Sequence, residues 1–357
     1  MNQNNSHKYP PRNPSVHTRD LLGSVKPSLL FYPLFALFSN LLNCDPKRYL
    51  SRLNIVLRKV IHPIILFLVP FFMDYKQRIE NKETLLGAAS PGTPQSLPKE
   101  PVIWCVNHGF KDDIAATIRA TRHSHVFFGS IPHFFNTFDG IALSLNGVIL
   151  CNRKRNESKK AAFHLAVETL KCGNDVTIFP EGVWNKTPEK LTLDLWPGIY
   201  RMAKETGSKI IPVIHYLRDP NLKYPGNVIH TVIADPISMV GLSEEEGLAL
   251  LRDSMATWYY LLMEKYGQTT RQALLDAFNT SDEAWESFIS RYTSCVKYYD
   301  SEIELSADYR PRRIVRPKSV WQNVANIQHL HAGNIGHVQY AKQLISREQN
   351  RDFQRRF

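Results

Sequence analysis

The chain has 357 residues, of which 43% are hydrophobic and 22% charged, and this composition is that of a globular protein with one large domain or two. Its 5 cysteines are odd in number and include no CxxC pair, which argues against a disulfide framework and favours reduced thiols in a cytosolic setting. The formal net charge of +11 favours an anionic partner, for which nucleic acid, acidic lipid head groups and phosphorylated substrates all qualify.

The N-terminal region combines a polar start with short apolar segments. Residues 1–20 are polar and contain proline, which predicts disorder and no secretory signal. The apolar segments at 29–42 and 60–73 are interrupted by proline, and each is too short to cross about 30 Å of hydrocarbon. We predict that residues 21–76 are helical and associate with the cytoplasmic face of an anionic membrane, the alternative being two buried helices of a soluble core. The basic residues between the two segments are Lys47, Arg48, Arg52, Arg58 and Lys59.

The pattern along the rest of the chain predicts the fold class. Residues 77–100 are rich in glycine, proline and serine, which predicts a linker. Over 101–266, apolar clusters alternate with helical stretches, and this alternation indicates βαβ units. An amphipathic helix is expected at 243–266, and 267–357 is predicted to be a polar, helical C-terminal extension. The predicted class is α/β, with a mostly parallel central sheet flanked by helices and N-terminal membrane-associated helices.

The stretch at 102–120 places a histidine and an aspartate around a turn from a strand to a helix. Residues 102–106 form a short apolar run that is typical of a buried strand, and His108 follows it. Apolar residues recur at helical spacing after Asp112, so Asp113 lies in the first helical turn. A carboxylate that holds one imidazole nitrogen fixes the tautomer, and the ring can then act as a general base. We therefore predict that His108 and Asp113 are catalytic.

A second histidine and aspartate with the same separation indicate how little the spacing alone proves. His230 and Asp235 flank Thr-Val-Ile-Ala in what resembles one continuous strand. An odd offset along a strand sends two side chains to opposite faces. We expect no catalytic pairing of these two residues.

Two further clusters lie just past predicted strands. Glu181 and Gly182 follow the strand at 176–179, where a glycine lets a ligand approach the backbone and a carboxylate can accept hydrogen bonds from substrate hydroxyls. Arg153 follows another strand, and arginine is suited to bidentate phosphate binding. A solvated helix face better explains the next basic residues, Lys154, Arg155, Lys159 and Lys160.

Taken in order, NHGFKDD, GVILCNR, FPEG and KIIPV resemble the motifs of the glycerolipid acyltransferases over about residues 102–236. The resemblance implies that His108 takes a proton from an acceptor hydroxyl, which then attacks the thioester of an acyl-CoA or an acyl carrier protein. It implies that Asp113 steadies the imidazole. The implied acceptor is lysophosphatidic acid or a related lysolipid, and no metal or cofactor is expected besides the acyl donor.

The resemblance also assigns residues to substrate binding. Arg153, Glu181 and Gly182 match positions that help to bind glycerol phosphate, and Pro212 matches a proline in a wall near the acyl donor. After Glu-Gly the family usually has Thr-Arg-Ser, whose arginine contributes to phosphate binding, whereas this chain has Val-Trp-Asn. Because the indole of Trp184 replaces a cation, a lysolipid with a larger or less charged head group becomes a plausible acceptor, with Trp184 in contact with it.

The sequence disfavours three other kinds of function. A serine hydrolase is disfavoured because no GxSxG motif exists in the chain. A metal site of His123, His125 and His133 is disfavoured because no carboxylate or cysteine accompanies them at ligand spacing. A basic module that binds nucleic acid or membranes without catalysis fits the charge but leaves the His108 turn unexplained, so no nucleic-acid partner is expected.

Overall fold

The computed structural model describes residues 46–71, 73–85, 98–110, 112–129, 138–151, 155–182, 185, 191–218 and 228–267. Within them one sheet of seven strands has the order β1-β7-β6-β2-β5-β3-β4. The strands are β1 (Lys76–Ile79), β2 (Ile103–Val106), β3 (Ser124–Gly129), β4 (Val148–Cys151), β5 (Asp175–Ile178), β6 (Ile210–Tyr216) and β7 (Val228–Ile233). The helices are α1 (Pro46–Tyr49), α2 (Arg52–Leu68), α3 (Lys82–Leu85), α4 (Asp113–Ala120), α5 (Phe138–Asn146), α6 (Asn156–Lys171), α7 (Gly198–Thr206) and α8 (Glu244–Tyr266).

Most of the sheet is parallel. The neighbouring strands β6, β2, β5, β3 and β4 run in one direction, β7 is antiparallel to β6, and β1 runs parallel to β7. Helices α6, α7 and α8 pack on one face, and α2, α4 and α5 pack on the other. Because both faces are covered, β2 and β5 are buried along their whole length, as their apolar runs predict. The predicted α/β class with a mostly parallel sheet is confirmed.

The predicted linker at 77–100 contains part of the sheet, which corrects that boundary. Strand β1 pairs with β7 in register from Lys76 opposite Val228 to Ile79 opposite Thr231. The sequence Lys-Gln-Arg-Ile of β1 has no apolar alternation because it forms an edge strand, and three of its four residues are exposed. Helix α3 follows at Lys82–Leu85, and residues 86–97 lie outside the described residues.

The predicted apolar segment at 60–73 belongs to a longer helix. Helix α2 spans 17 residues, continues through Pro63, and is followed by a short 3-10 turn at Val69–Phe71. In the part of the chain that the structure describes, Arg52–Phe71 is the one helical segment whose length and composition would allow it to cross a membrane. The other predicted apolar segment, at 29–42, and the N-terminal residues 1–20 lie outside that part.

Arg58 corrects the predicted basic surface cluster. Its side chain is fully buried, its Nη1 donates to the backbone oxygen of Tyr49 at 2.7 Å, and its Cζ lies 3.9 Å from the centroid of the Tyr49 ring. The other four basic residues of the cluster, Lys47, Arg48, Arg52 and Lys59, are exposed. Arg58 therefore attaches α2 to the domain and is not available to lipid.

The amphipathic helix predicted at 243–266 is present as α8. Ser243 caps its start, because the Ser243 hydroxyl accepts from the backbone N–H of Glu246 while the Glu246 carboxylate accepts from the backbone N–H of Ser243. Leu251 and Met255 of α8 pack on the sheet in the main core. Residues 268–357 of the predicted C-terminal extension lie outside the described residues.

Candidate active site

The carboxyl end of β2 brings His108 and Asp113 together. Nδ1 of His108 lies 2.7 Å from Oδ2 of Asp113, which is fully buried at the start of α4. The same oxygen accepts the backbone N–H of Gly109 at 3.0 Å and of Phe110 at 3.3 Å. Since an ionised carboxylate only accepts hydrogen bonds, His108 carries its proton on Nδ1, and the lone pair lies on Nε2. This is the tautomer that a general base requires.

The ring of His108 is also held from the side. Phe179, which follows β5, packs against it with ring centroids 4.7 Å apart and the planes tilted by 46°. Phe179 in turn contacts the apolar cluster formed by α2, α4 and α5. The imidazole is therefore restrained both by a carboxylate and by a ring.

Glu181 holds the backbone of His108 and does not face open space. Its Oε1 accepts the backbone N–H of His108 at 3.0 Å, and its Oε2 accepts the backbone N–H of Leu193 at 2.9 Å. The carboxyl is fully buried, and this burial raises its pKa to about 7 against the pull of the two hydrogen bonds. The expectation that Glu181 accepts hydrogen bonds directly from substrate hydroxyls is not supported, because both of its oxygens are buried and engaged.

The segment after β5 also bonds to the backbone carbonyl of His108. The backbone N–H of Asn185 donates to the backbone oxygen of His108 at 2.7 Å. Together with Glu181, this contact engages both main-chain polar groups of the histidine. Glu181 and Asn185 thus position the predicted base through its backbone.

Gly182 is required by its conformation and by a neighbouring indole. Its φ of +75° lies in the left-handed region, and a Cβ at this position would lie 2.7 Å from Nε1 of Trp196. The side chain of Trp196 is 49% exposed, and its backbone N–H donates to the oxygen of Pro180 at 2.8 Å. The sequence did not predict that Trp196 belongs to the site, because no spacing or motif connects it with FPEG.

Of the remaining predicted binding residues, Arg153, Trp184 and Pro212, the structure describes Pro212 alone. Pro212 is buried inside β6, where its Cα lies opposite that of Cys105 in β2. Arg153 and Trp184 lie outside the described residues. The binding roles of these three residues stay predictions.

The sequence also did not predict that three polar residues, Asn107, Thr117 and His215, bond to each other beside the site. Asn107 precedes His108, and its side-chain amide bonds to the backbone of His215 in β6. The ring of His215 in turn bonds to Thr117 in α4. The available sequence signal was the position of a histidine at the end of the apolar KIIPV strand, where a buried polar residue needs a partner.

His230 and His125, which the sequence also raised, have partners of their own. His230 Nδ1 lies 2.8 Å from Oε1 of Glu80, while Asp235 pairs with Lys82, so the expected absence of a His230 and Asp235 pair is confirmed. His125 Nδ1 lies 2.7 Å from the hydroxyl of Tyr49 in the interior. Over the described ranges, no three His, Cys, Asp or Glu side chains are grouped so as to hold a metal ion.

Comparisons with known proteins find similarity to acyltransferases. The model of the family described as Acyltransferase matches residues 79–216. A 1-acyl-sn-glycerol-3-phosphate acyltransferase from Borreliella burgdorferi is 37% identical over 79 residues, which are 22% of this chain and 31% of that protein. The chain thus matches about a third of the length of this relative. The crystal structure of the 1-acyl-sn-glycerophosphate (LPA) acyltransferase PlsC from Thermotoga maritima is similar with a TM-score of 0.45 and 19% identity, over 68% of this chain and 91% of that chain.

Proposed function

We propose that this protein transfers an acyl group from an acyl thioester to a hydroxyl of a lysophospholipid, since residues 79–216 match the family model described as Acyltransferase. The observation that carries the proposal is the 2.7 Å contact between His108 Nδ1 and Asp113 Oδ2 in a turn at the end of a buried strand. The donor is an acyl-CoA or an acyl carrier protein.

The proposed reaction needs only a base and positioned substrates. Nε2 of His108 takes the proton of the acceptor hydroxyl, and the oxygen attacks the thioester carbonyl carbon. The tetrahedral intermediate then collapses, the C–S bond breaks, and the imidazolium returns the proton to the leaving thiolate. Asp113 stabilises the imidazolium that exists between these two steps.

The acceptor is proposed from the sequence after Glu181. Both relatives are named for acylation of a 1-acylglycerol phosphate, whereas this chain has Trp184 where the family usually has an arginine. A lost charge-assisted hydrogen bond is worth about 1.5 to 3 kcal/mol, so binding of a phosphate monoester is weakened. Lysophospholipids with a substituted phosphate therefore rival or exceed lysophosphatidic acid, and the indole can pack on their head group.

A membrane location is supported by the outer face of α2. Apolar side chains recur on this face at intervals of three and four residues, as expected for one stripe of a helix. Phe67 and Phe71 at its end are 70% and 73% exposed, and their rings contact each other. Contact with lipid at the cytoplasmic face would bury this stripe, and the net charge of +11 favours an anionic leaflet. The stripe consists of Leu53, Val56, Val60, Ile64, Phe67 and Phe71.

The inner side of the same helical segment is linked to the proposed base through a shared apolar cluster. Ile65 and Val69, on the inner side of the same helical segment, pack in the cluster that Phe179 also contacts. Phe179 lies against the ring of His108. A lysolipid held in the leaflet beside α2 would therefore lie on the side of the sheet where this cluster reaches the base.

The function is tested by incubating purified protein with an acyl-CoA or an acyl carrier protein and a panel of lysolipids, with products identified by mass spectrometry. We expect His108→Ala to lower turnover about 10²- to 10⁴-fold, the usual contribution of a general base, and Asp113→Asn to lose most activity. His230→Ala is the matched control, because His230 also bonds to a carboxylate but lies at the β1 edge of the sheet. Near wild-type turnover in His108→Ala would refute the mechanism.

The acceptor and the competing hypothesis are resolved in the same assay. When lysophosphatidic acid competes with a lysolipid of substituted phosphate, Trp184→Arg should shift products toward the former. An unchanged ratio shows that this position does not set acceptor choice. Salt-sensitive binding to nucleic acid without any acyl transfer would support the non-catalytic alternative.

The membrane contact is tested with anionic phospholipid vesicles. Replacing an inserted phenylalanine by serine should weaken partitioning about 10-fold or more, so Phe67→Ser and Phe71→Ser are expected to release the protein. Val240→Ser is the control, because Val240 is 76% exposed and lies outside α2. Complete release of wild-type protein by high salt alone would show that the contact is purely electrostatic.

A further inference from the structure

We propose that His215, which has no place in the four motifs, is a positioning residue that holds both ends of the turn carrying His108 and Asp113. The proposal rests on the proposed function, in which these two residues are the base and its partner. His215 lies near the carboxyl end of β6, the strand that pairs with β2, and its side chain is fully buried.

The first end of the turn is held by the main chain of His215. Its backbone N–H donates to Oδ1 of Asn107 at 2.7 Å, and its backbone oxygen accepts from Nδ2 of Asn107 at 2.9 Å. Asn107 is buried and immediately precedes His108. Two hydrogen bonds to one amide fix its position as well as its orientation, so β6 determines where β2 ends and the turn begins.

The other end is held by the side chain of His215. Nε2 of the imidazole lies 2.8 Å from Oγ1 of Thr117, and this hydroxyl donates to the backbone oxygen of Asp113 at 2.7 Å. Because a carbonyl can only accept, the hydroxyl proton points at Asp113, and Nε2 of His215 must donate to the hydroxyl. The ring thus bonds, through one side chain, to the residue that orients the base.

The hydrogen bonds on the far side of the ring agree with the same tautomer. Nε2 of Gln77 donates to Oγ1 of Thr231 at 3.0 Å, and this hydroxyl lies 2.9 Å from Nδ1 of His215. Thr231 therefore accepts from Gln77 and donates to Nδ1, which is unprotonated. Burial lowers the pKa of His215 to about 4, so the ring is neutral at physiological pH and keeps this single arrangement.

Helix α4 needs such support because it is short and its start lacks a side-chain cap. It has 8 residues, and the carboxylate of its N-cap residue, Asp112, makes no capping bond but accepts the backbone N–H of Asp74 at 2.7 Å. Helices of this length are marginal without tertiary contacts. The bond from His215 through Thr117 is a tertiary contact of the first turn of α4, where Asp113 lies.

The test compares two variants that break the same hydrogen-bonded chain on opposite sides of the ring. Thr117→Val removes the hydroxyl between His215 and Asp113, and Thr231→Val removes the hydroxyl on the far side, with the same change in shape. A displacement of a catalytic group by 1 Å can lower the rate by up to about 100-fold. We therefore expect Thr117→Val and His215→Leu to lower kcat about 10- to 100-fold. The KM for the acyl donor should stay within about 2-fold, and Thr231→Val should keep a kcat near that of wild type.

A conservative variant provides the rescue. In His215→Gln the amide NH2 can occupy the place of Nε2–H and donate to Thr117, so most of the turnover lost in His215→Leu should return. Thermal unfolding of each variant shows whether it folds, and Thr117→Val carries the test if His215→Leu does not. The proposal is overturned if Thr117→Val keeps wild-type kcat, or if Thr231→Val loses as much kcat as Thr117→Val, which indicates general loosening of the core.

Wild type and His108→Ala serve as references that distinguish a failure of this inference from a failure of the proposed function. Wild type must transfer acyl groups, and His108→Ala must not. If wild type is inactive with every donor and lysolipid, the proposed function fails. If these references behave as expected and Thr117→Val is as active as wild type, only the role of His215 is refuted.

Discussion

Replacing Glu181 by glutamine should change how the stability of the protein depends on pH. Glu181 is fully buried, and desolvation raises its pKa from an ordinary 4.5 to about 7. Between these two pH values the folded state keeps a proton that the unfolded state has lost. Its contribution to stability is therefore complete below about pH 4.5 and is lost as the pH rises through about 7. A shift of this size corresponds to about 3 kcal/mol.

Glu181→Gln removes this titration and also disturbs the bonds to the backbone. An amide has one acceptor end, so only one of the N–H groups of His108 and Leu193 keeps its partner. The variant should be less stable than wild type in acid, where wild type has its full contribution, and the gap should narrow by about 2 kcal/mol from pH 5 to pH 8.

Urea unfolding at several pH values measures this directly. The free energies of wild type and Glu181→Gln should converge as the pH rises, while Glu157→Gln, which removes a carboxylate from the surface, gives the baseline for the loss of one acidic group. Parallel curves for wild type and Glu181→Gln between pH 5 and 8 would refute the assignment of the raised pKa to this carboxyl. The same samples should show lower acyl-transfer turnover, because the bonds by which Glu181 holds the backbone of His108 and Leu193 are weakened.

Two further substitutions test the contacts around the site and under α2. Gly182→Ala should destabilise the protein by at least about 1 kcal/mol in urea unfolding, since the left-handed backbone disfavours a Cβ and the indole of Trp196 occupies its space. Adding Trp196→Ala to this variant should restore only the share of the stability that is lost through the clash with the indole. Arg58→Met should cost about 1 to 3 kcal/mol, because the backbone oxygen of Tyr49 loses its buried donor, and an unchanged urea midpoint would contradict that reading.

The turn at the proposed base could be predicted because all of its signals are local. The apolar run of β2, the following His108 and the helical spacing after Asp112 lie within 20 residues of each other. Local patterns of this kind report the strand, the turn and the helix start directly. The family model described as Acyltransferase matches residues 79–216, which include the four ordered motifs.

The contacts that hold this turn could not be predicted because they join residues far apart in sequence. Glu181 reaches the backbone of His108 across 73 positions, and Asn107 reaches His215 across 108. Such pairs depend on the strand order, in which β2 lies between β5 and β6. Without that order, the family resemblance predicted that Glu181 binds the substrate, and the sequence indicated no role for His215.

Helix α2 shows why an apolar segment does not by itself reveal which of its faces contacts the protein. The usual rule for a surface helix puts apolar residues inward, yet here the buried face carries Asn54, Arg58 and His62, and the apolar stripe faces outward. The inward side chains are held by specific bonds, such as that of His62 Nδ1 to Oδ1 of Asn146 at 2.6 Å. Their spacing of four residues within an apolar stretch was the sequence signal for this inversion. A helix attached by its polar face leaves the apolar face to the surroundings, and a stripe of this length is unfavourable in water, which is the physical reason for expecting lipid there.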